Sequence, residues 1–325
     1  MTLQNKKIMV TGGAGFIGSS LVRELIKEQA EVLVYDNFSS GSLKNISEVE
    51  DKITIIEGDI RDKNLPNILR KNEIQFLFNL AALPYIPDCY EKPFDFLDVN
   101  TMGALNVFLS VKEAGVERMI QYSTSEVYGT AINTPMDEHH PTLPQSSYAA
   151  AKLAAERVAY TMYHEQQIPI IILRQFNSYG PRGTHPYVIP EIISQLSKSN
   201  QINLGNLNAR RDFVYVSDAA KASVALIKHK QAVGEVFNCG SGDDYSIKEL
   251  AELTAEIMGV DNLKINIDQS RLRPLDVHVL KANFFKCHQL TKWVPTVSIK
   301  DGLKETVDWF NSNGKTWPWI NRKTN

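Results

Sequence analysis

The sequence predicts an α/β protein, with a doubly wound parallel sheet and a smaller, partly interleaved C-terminal α/β lobe. Three observations support this prediction. Short and almost wholly apolar runs alternate with helical patterns through the first half of the chain. A glycine-rich turn joins the first apolar run to the first helical pattern. After Arg174 the alternation is interrupted by Pro181, Gly183 and Pro186, and shorter mixed elements follow, which indicates a second lobe.

The predicted strands are rich in β-branched and aromatic residues. In order, they cover residues 7–11, 31–36, 53–57, 75–82, 117–124 and 168–173. Helices are predicted over residues 16–29, 64–71, 94–114 and 147–166, and later near 190–198, 216–228 and 246–258. Apolar strands with helical crossovers are typical of a parallel sheet that is covered on both faces. We expect residues 1–177, with about 212–240, to form one lobe. The second lobe is then expected to contain residues about 178–211 and 241–325.

Composition and charge exclude several classes of protein. Hydrophobic residues make up 43% of the 325 residues and charged residues 22%, which is ordinary for a globular chain. The formal net charge is −2 without a run of like charges, so no nucleic-acid partner is expected. No apolar stretch approaches the ~18 residues of a membrane span, and no signal peptide is recognisable. Three widely spaced cysteines without metal-ligand spacing predict a reduced, cytoplasmic chain with no metal site.

A dinucleotide-binding turn is predicted at residues 11–18. Gly12, Gly15 and Gly18 permit a tight turn and close approach to the backbone, and the start of the following helix favours a pyrophosphate. This strand–turn–helix pattern is typical of the Rossmann fold. Asp36 ends the second strand about 20 residues further on, where a carboxylate accepts the ribose hydroxyls and repels a 2′-phosphate. The sequence therefore predicts NAD, rather than NADP, as the cofactor.

Further cofactor contacts are predicted at the next two strand ends. Asp59 follows the third strand, where it would lie beside the adenine. Leu80, Ala81 and Ala82 end the fourth strand with small residues, so that a cofactor can pass close to the backbone.

Tyr148 and Lys152 are one helical turn apart, so a helix places both on one face. A neighbouring ammonium stabilises a phenolate, and we expect the pKa of Tyr148 to fall towards neutrality, where the phenol works as a general base. Thr124 ends the fifth strand at the edge where ligands bind, and can relay a proton from a substrate hydroxyl. Glu126 is a candidate second acid or base. From the residues alone, an ordinary helix pair and a solvated loop carboxylate remain the alternatives.

Together these motifs resemble the extended short-chain dehydrogenase/reductases of the nucleotide-sugar epimerase/dehydratase family, over essentially the whole chain. The residues that carry the resemblance are 11–18, 36–41, 58–62, 123–129 and 148–152, with 174–181, 211–218 and 271–276 in the second lobe. It implies NAD contacts by Gly12, Gly15, Phe16, Ile17, Gly18, Asp36, Asn37, Ser39, Ser40, Gly41, Asp59, Ile60, Leu80, Ala81, Ala82, Tyr148 and Lys152.

The resemblance also implies a nucleotide-diphosphate sugar as the substrate. Its expected contacts are Tyr85, Asn177, Val188, Arg211, Arg273 and Asp276. Arg211 and Arg273 would clamp the diphosphate, because the planar guanidinium fork pairs with phosphate oxygens. Gln175 stands where the family often has a proline, a departure that we expect to be harmless.

The reaction is expected to begin with hydride transfer from sugar C4, with Tyr148 taking the hydroxyl proton through Thr124, as the resemblance implies. A 4-epimerase then needs only rotation of the sugar and return of the hydride. A 4,6-dehydratase needs in addition a base at C5 and an acid for the leaving C6 hydroxyl. UDP-glucuronate decarboxylases, which also carry Thr-Ser-Glu, are a third possibility.

The triplet Thr124, Ser125 and Glu126 resembles the one in GDP-mannose 4,6-dehydratases and in GlcNAc-nucleotide dehydratases of legionaminic-acid-type pathways. It departs from the Thr-Asp-Glu of dTDP-glucose 4,6-dehydratases, so Glu126 must serve as both base and acid. We therefore predict a 4,6-dehydratase that forms a 4-keto-6-deoxy sugar from a UDP- or GDP-activated GlcNAc or hexose. The alternative from another class is a catalytically inactive NAD-binding regulator, which the retained Tyr148 and Lys152 disfavour.

Assembly is predicted from the helix over residues 147–166, which is apolar almost all round. One face must cover the sheet, and the opposite face also lacks polar residues, which favours burial against a second subunit. Residues 102–111 show a similar apolar excess. We expect a homodimer that forms through a four-helix bundle, as the family resemblance also implies.

Overall fold

The computed structural model describes residues 1–317 and 319–320. Its strands are β1 (Lys7–Thr11), β2 (Glu31–Asp36), β3 (Ile53–Glu57), β4 (Phe76–Asn79), β5 (Arg118–Thr124), β6 (Ile170–Gln175), β7 (Asn177–Tyr179), β8 (Gln201–Leu204), β9 (Arg210–Tyr215), β10 (Val236–Cys239), β11 (Asp244–Ser246), β12 (Lys264–Ile267) and β13 (Val279–Leu280). Its α-helices are α1 (Phe16–Lys27), α2 (Leu65–Lys71), α3 (Ile86–Glu91), α4 (Pro93–Leu97), α5 (Ala104–Ala114), α6 (Ser147–Gln166), α7 (Val188–Leu196), α8 (Val216–Ile227), α9 (Ile247–Met258), α10 (Phe285–Thr291) and α11 (Ile299–Ser312).

Seven parallel strands form the main sheet, in the order β3–β2–β1–β4–β5–β6–β10. The strand order reverses between β1 and β4, which confirms the predicted doubly wound class and places a ligand crevice at that point. The outermost strand, β10, was not predicted. Its four residues are too short to stand out as a pattern, and pairing with β6 holds them in the sheet although β7, β8 and β9 intervene in the chain.

The two faces of the sheet bury separate apolar cores. Ile8 and Val10 of β1 point to the face that α1 and α8 cover, while Met9 between them points to the face beneath α2 and α5. This alternation follows from the period of two in a strand. Because both faces are covered, adjacent residues of the central strands are mostly apolar, which is the pattern that predicted the fold.

The second lobe has its own core between α7, α9 and α11, beside two small sheets. β9 pairs with β7, β11 and β13, and β8 pairs with β12. The C-terminal segment completes this core. Trp317 is buried, its ring stacks on that of Phe310 with centroids 5.2 Å apart, and its Nε1 donates a hydrogen bond to Ser194 Oγ at 2.8 Å.

The helix predicted over residues 94–114 is divided in the structure. A wider π-helical turn, Asp98–Gly103, separates α4 from α5. Within it, the Asn100 side chain accepts a hydrogen bond from Leu83 N at 2.8 Å and donates one to Leu83 O at 3.0 Å. The turn therefore ties this helix pair to the segment that follows β4, and such turns are frequent at functional sites.

None of the helices within residues 1–317 and 319–320 combines the length and the apolar character that a membrane crossing needs.

Candidate active site

One large cleft runs along the carboxyl ends of the central strands and under the second lobe. Its volume is about 1360 Å³. The predicted site residues that line it are Gly12, Gly15, Phe16, Ile17, Gly18, Asp36, Asn37, Ser39, Ser40, Asp59, Ile60, Leu80, Ala81, Ala82, Tyr85, Thr124, Ser125, Glu126, Tyr148, Lys152, Asn177, Val188, Arg211, Arg273 and Asp276. Gly41 is not a lining residue. It packs behind Asp36, where an added Cβ would lie 3.0 Å from the carboxylate and from Ala14.

The glycine-rich turn leaves space that only glycines can provide. Gly12 has φ +69°, and a Cβ there would lie 2.8 Å from the Ala81 nitrogen. A Cβ on Gly18 would lie 2.1 Å from the Gly12 oxygen. Among the described residues, no side chain caps the start of α1. The backbone N–H groups of its first turn are therefore available to a pyrophosphate, which fits the predicted dinucleotide.

Two carboxylates lie at the end of the cleft where the adenosine is expected. Asp36 is 6% exposed and accepts hydrogen bonds from Ala14 N at 2.9 Å and Phe38 N at 2.8 Å. Burial raises its pKa, and these hydrogen bonds partly offset the shift. Asp59 bonds to Arg61 and to Asn37, and the Arg61 hydrogen bonds lower its pKa to about 2. Both are therefore held in place by hydrogen bonds from the protein before any ligand binds.

The predicted catalytic groups meet where β5 ends. Thr124 Oγ1 accepts a hydrogen bond from Glu126 N at 3.3 Å, and its hydroxyl is also hydrogen-bonded to the Tyr148 phenol. Tyr148 lies in the first turn of α6, whose start is capped by Ser146 through Ala149 N at 3.1 Å. Lys152 follows one turn later, is 4% exposed, and donates a hydrogen bond to Tyr122 O at 2.5 Å.

The electrostatics of this pair differ from the prediction. Burial raises the pKa of Tyr148 to about 12, with the nearby Glu126 carboxylate adding to the shift, and it lowers the pKa of Lys152 to about 8. The expected fall of the Tyr148 pKa towards neutrality is therefore wrong for the ligand-free protein. The physical reason is desolvation of the buried phenol, which the hydrogen bond to Thr124 offsets only in part, while the Lys152 ammonium bonds to the Tyr122 carbonyl.

Glu126 is not a solvated loop carboxylate. It is 7% exposed, lies in a single helical turn that follows β5, and forms an ion pair with Arg273, Oε1 to Nη1 at 3.5 Å. Arg211 pairs with Asp276 at 3.5 Å in the same part of the cleft. The two arginines predicted to hold a diphosphate, Arg211 and Arg273, thus lie on the same side of the cleft as Glu126.

Sequence reasoning missed several residues that line the cleft. Gln175 and Ser178 belong to the same segment as the predicted Asn177, and Tyr187 and Asn206 come from the second lobe. Asn177 belongs to a motif that the sequence showed. Its neighbours on β6 and β7 could have been predicted as cleft residues from the same motif. The second-lobe residues had none, since their approach to the cleft depends on how the lobes pack.

Comparison with known proteins places the chain in a family. The family model described as GDP-mannose 4,6 dehydratase matches residues 9–306. The dTDP-D-glucose 4,6-dehydratase of Homo sapiens is 31% identical over 323 residues, which cover 96% of this chain and 92% of the human protein. The UDP-N-acetyl-alpha-D-glucosaminuronate decarboxylase of Bacillus cytotoxicus is 34% identical over 318 residues, covering 94% of this chain and 98% of that protein.

Among solved structures, DesIV of Streptomyces venezuelae, a dTDP-glucose 4,6-dehydratase with NAD and TYD bound, superposes with a TM-score of 0.90 at 28% identity. The likeness covers 96% of this chain and 98% of DesIV. The resemblance seen in the sequence motifs is thereby confirmed, and the chain belongs to the GDP-mannose 4,6 dehydratase family within the extended short-chain dehydrogenase/reductases.

Proposed function

We propose that this protein is an NAD-dependent nucleotide-sugar 4,6-dehydratase. The observation that carries the proposal is the pairing of two acid–base groups at one sheet edge. Tyr148 is hydrogen-bonded to Thr124, and the buried Glu126 lies two residues after Thr124, paired with Arg273. A phenol that takes a hydroxyl proton and a carboxylate that takes a carbon-bound proton are the two bases that oxidation followed by elimination requires.

The proposed reaction assigns the two deprotonations and the protonation of the leaving hydroxyl to residues of this chain. Tyr148 takes the proton of the C4 hydroxyl, with Thr124 relaying it. Glu126 removes the C5 proton that the 4-ketone acidifies, and the same carboxyl then protonates the departing C6 hydroxyl, since Ser125 offers no second carboxyl. When bound, NAD accepts the C4 hydride and returns it at C6, and a proton from solvent then replaces the one removed from C5. Asp36 favours NAD over NADP, because a buried carboxylate repels a 2′-phosphate.

The substrate is proposed to be a nucleotide-diphosphate sugar. Arg211 and Arg273 supply two guanidinium groups on one side of the cleft, suited to the two phosphates. Asn177 and Tyr85 line the adjoining part of the cleft.

We assign residues 1–177 and about 212–240 to the NAD lobe, and about 178–211 and 241–325 to the sugar lobe. The cytoplasmic location stays a prediction.

Two related activities share the first step. A 4-epimerase has no use for a second base, and the burial of Glu126 beside Thr124 favours the dehydratase over it. A UDP-glucuronate decarboxylase loses carbon dioxide from the 4-ketone, and the decarboxylase among the relatives keeps this candidate open. An inactive NAD-binding regulator is disfavoured, because Tyr148, Lys152 and Thr124 come together in the cleft.

Mass spectrometry of the products from UDP- and GDP-activated GlcNAc, hexoses and UDP-glucuronate separates these candidates. We expect loss of water from one of the GlcNAc or hexose nucleotides. Loss of carbon dioxide would instead identify a decarboxylase, and an isomer of unchanged mass an epimerase. Unaltered substrate in every sample, with NAD bound, would support the regulator.

We also propose that the protein forms a homodimer, through α5 and α6 of each subunit. These two helices pack against each other, and α4 lies beside α6. The exposed apolar side chains on this surface are Phe94, Leu97, Met102, Leu109 and Tyr160. The outward face of α6 is more polar than the sequence predicted. Arg157 and His164 are exposed there, and Arg157 lies 5.8 Å over the ring of Tyr160.

Phe94→Lys is expected to convert the dimer to a monomer. Phe94 is 77% exposed, so the single chain loses little when it is replaced, whereas a lysine buried in the interface costs about 3 kcal/mol, roughly a hundredfold in affinity. Light scattering at micromolar concentration measures the change. The matched control is Phe285→Lys, because Phe285 is 57% exposed on α10, away from this surface. A monomeric unaltered protein would refute the proposal.

A further inference from the structure

Residues 180–187, here called the cleft strap, join β7 to α7. The residues of the cleft strap that line the large cleft are Gly180, Gly183, Thr184, Pro186 and Tyr187. The ring of His185 stacks on the ring of Tyr85, with centroids 5.3 Å apart. Tyr85 follows β4 and also lines the cleft, so the cleft strap reaches from the second lobe across to the first.

An ion pair holds the start of the cleft strap. Arg182 has φ +68°, a left-handed backbone conformation that favours glycine, and its Nη2 pairs with Glu48 Oε2 at 3.0 Å. The same carboxylate oxygen pairs with Arg23 of α1 at 3.1 Å. Because this conformation is costly for a residue with a side chain, it persists only where the surrounding structure fixes it.

Two tryptophans of the C-terminal segment contact the middle of the cleft strap. Among the described residues, the atoms nearest to a Cβ built on Gly183 belong to Pro190, Trp319 and Trp317, at 3.3, 3.7 and 3.8 Å. Pro190 lines the cleft, whereas the described tryptophans of the C-terminal segment, Trp317 and Trp319, do not. The two rings therefore support the cleft strap from the side that faces away from the cleft.

The same two rings belong to a stack that is fixed to the second lobe. Trp317 and Trp319 stack nearly parallel, with an interplanar angle of 12° and centroids 5.2 Å apart. Trp317 also contacts the rings of Trp309 and Phe310 on α11, and its Nε1 donates a hydrogen bond to Ser194 on α7. Aromatic pairs at such distances stabilise one another beyond the area that they bury. The stack thus offers the cleft strap a support that is anchored to two helices.

We propose that Trp319, stacked on Trp317, is a positioning residue for the substrate, because it holds the cleft strap in the shape that receives a nucleotide-diphosphate sugar. The inference rests on the proposed function, which assigns the second-lobe side of the cleft to that class of substrate. A cleft strap that is already in place loses less conformational freedom when the substrate binds, so its support contributes to affinity. The reacting groups lie at the end of β5 instead, and the chemical steps should not depend on this support.

Calorimetric titration of the full chain with UDP and with GDP tests the support. Trp319→Ala should weaken the binding of whichever diphosphate the unaltered protein binds by roughly tenfold, and should leave the affinity for NAD unchanged. For the sugar nucleotide that mass spectrometry identifies, KM should rise by a similar factor while kcat is kept. Trp319→Phe keeps an aromatic ring and should restore most of the affinity. Trp319→Gln should repeat the loss, and it replaces the alanine variant if that one does not fold.

Trp309→Ala is the matched control. Trp309 belongs to the same stack, but the tryptophans nearest to Gly183 are Trp317 and Trp319. Removal of the Trp309 ring should lower Tm and leave the affinity for UDP or GDP unchanged. A purely structural role of Trp319 predicts that same pattern for Trp319→Ala, and this result would overturn the inference.

The outcomes separate this inference from the proposed function. If the unaltered protein binds neither UDP nor GDP, the proposed class of substrate fails and the inference fails with it. If the unaltered protein binds one of them and the Trp319 variants bind it equally well, the support by Trp319 is overturned and the proposed function stands. An equal loss of affinity in Trp309→Ala would show a general loosening of the second lobe, which also overturns the inference.

Discussion

Tyr148→Phe is expected to abolish oxidation at sugar C4 while NAD and substrate still bind. The phenol is hydrogen-bonded to Thr124 at the sheet edge, and phenylalanine keeps the ring but removes the group that takes the hydroxyl proton. The loss should reach about 10²–10⁴-fold, the range for a positioned general base. The rise of reduced-cofactor absorbance in a single turnover measures this step directly, before any later step contributes.

The pH dependence of the same step gives an independent readout. Burial raises the pKa of Tyr148 to about 12, so below that value the phenolate fraction grows about tenfold for each pH unit. The oxidation rate should therefore rise with pH through neutrality.

Tyr90→Phe is the matched control for both measurements. Tyr90 also lines the cleft, and burial also raises its pKa, but it does not bond to Thr124. This variant should keep the single-turnover rise and its pH dependence. A Tyr148→Phe variant that oxidised the sugar at a near-native rate would show that another group takes the hydroxyl proton.

Local patterns in the sequence were sufficient to predict most of the fold and the glycine-rich turn, whereas Asn177, Arg211 and Arg273 were expected only from the family resemblance. The apolar strands indicated a sheet that is covered on both faces. The glycine-rich turn indicated a close approach of the backbone, which the structure places against Ala81. What the sequence could not supply was the environment of each group. The pKa of Tyr148 depends on desolvation and on the partner that Lys152 finds, and that partner, the Tyr122 carbonyl, belongs to another element.

The same limit explains the other differences. β10 is held in the sheet by pairing with β6, which lies far away in the chain, so its four residues carried no signal of their own. The Gln175 amide nitrogen donates to two backbone carbonyls, one of which belongs to Cys239 at the end of β10. Trp317 acquires a role only when α7 and α11 bring Ser194 and Phe310 beside it. Each of these features depends on residues distant in sequence.

Glu126→Gln is expected to stop the elimination of water but not the oxidation at C4. Tyr148→Phe, by contrast, stops the oxidation and therefore also the elimination that depends on it. Glutamine keeps the shape of the side chain, but it cannot take the C5 proton, and it loses the ion pair with Arg273. The variant should still oxidise C4, accumulate the absorbance of reduced cofactor and a 4-keto-hexose, and form the 4-keto-6-deoxy product about 10²–10⁴-fold more slowly. Because Tyr148 and Lys152 are intact in this variant, a block at oxidation would contradict the assignment of separate bases.

Deuterated water identifies the proton that Glu126 moves. The unaltered enzyme should place one deuterium at C5 of the product, since the carbon-bound proton is removed and replaced from solvent, whereas a 4-epimerase would place none there. Glu126→Gln should lose this exchange. Glu191→Gln is the matched control, because Glu191 also lines the cleft and pairs with an arginine, Arg271, at 2.8 Å, yet lies on α7 away from the sheet edge. That variant should still exchange at C5. Near-native dehydration by Glu126→Gln would show that another group is the C5 base, because glutamine at this position has no means of accepting the proton.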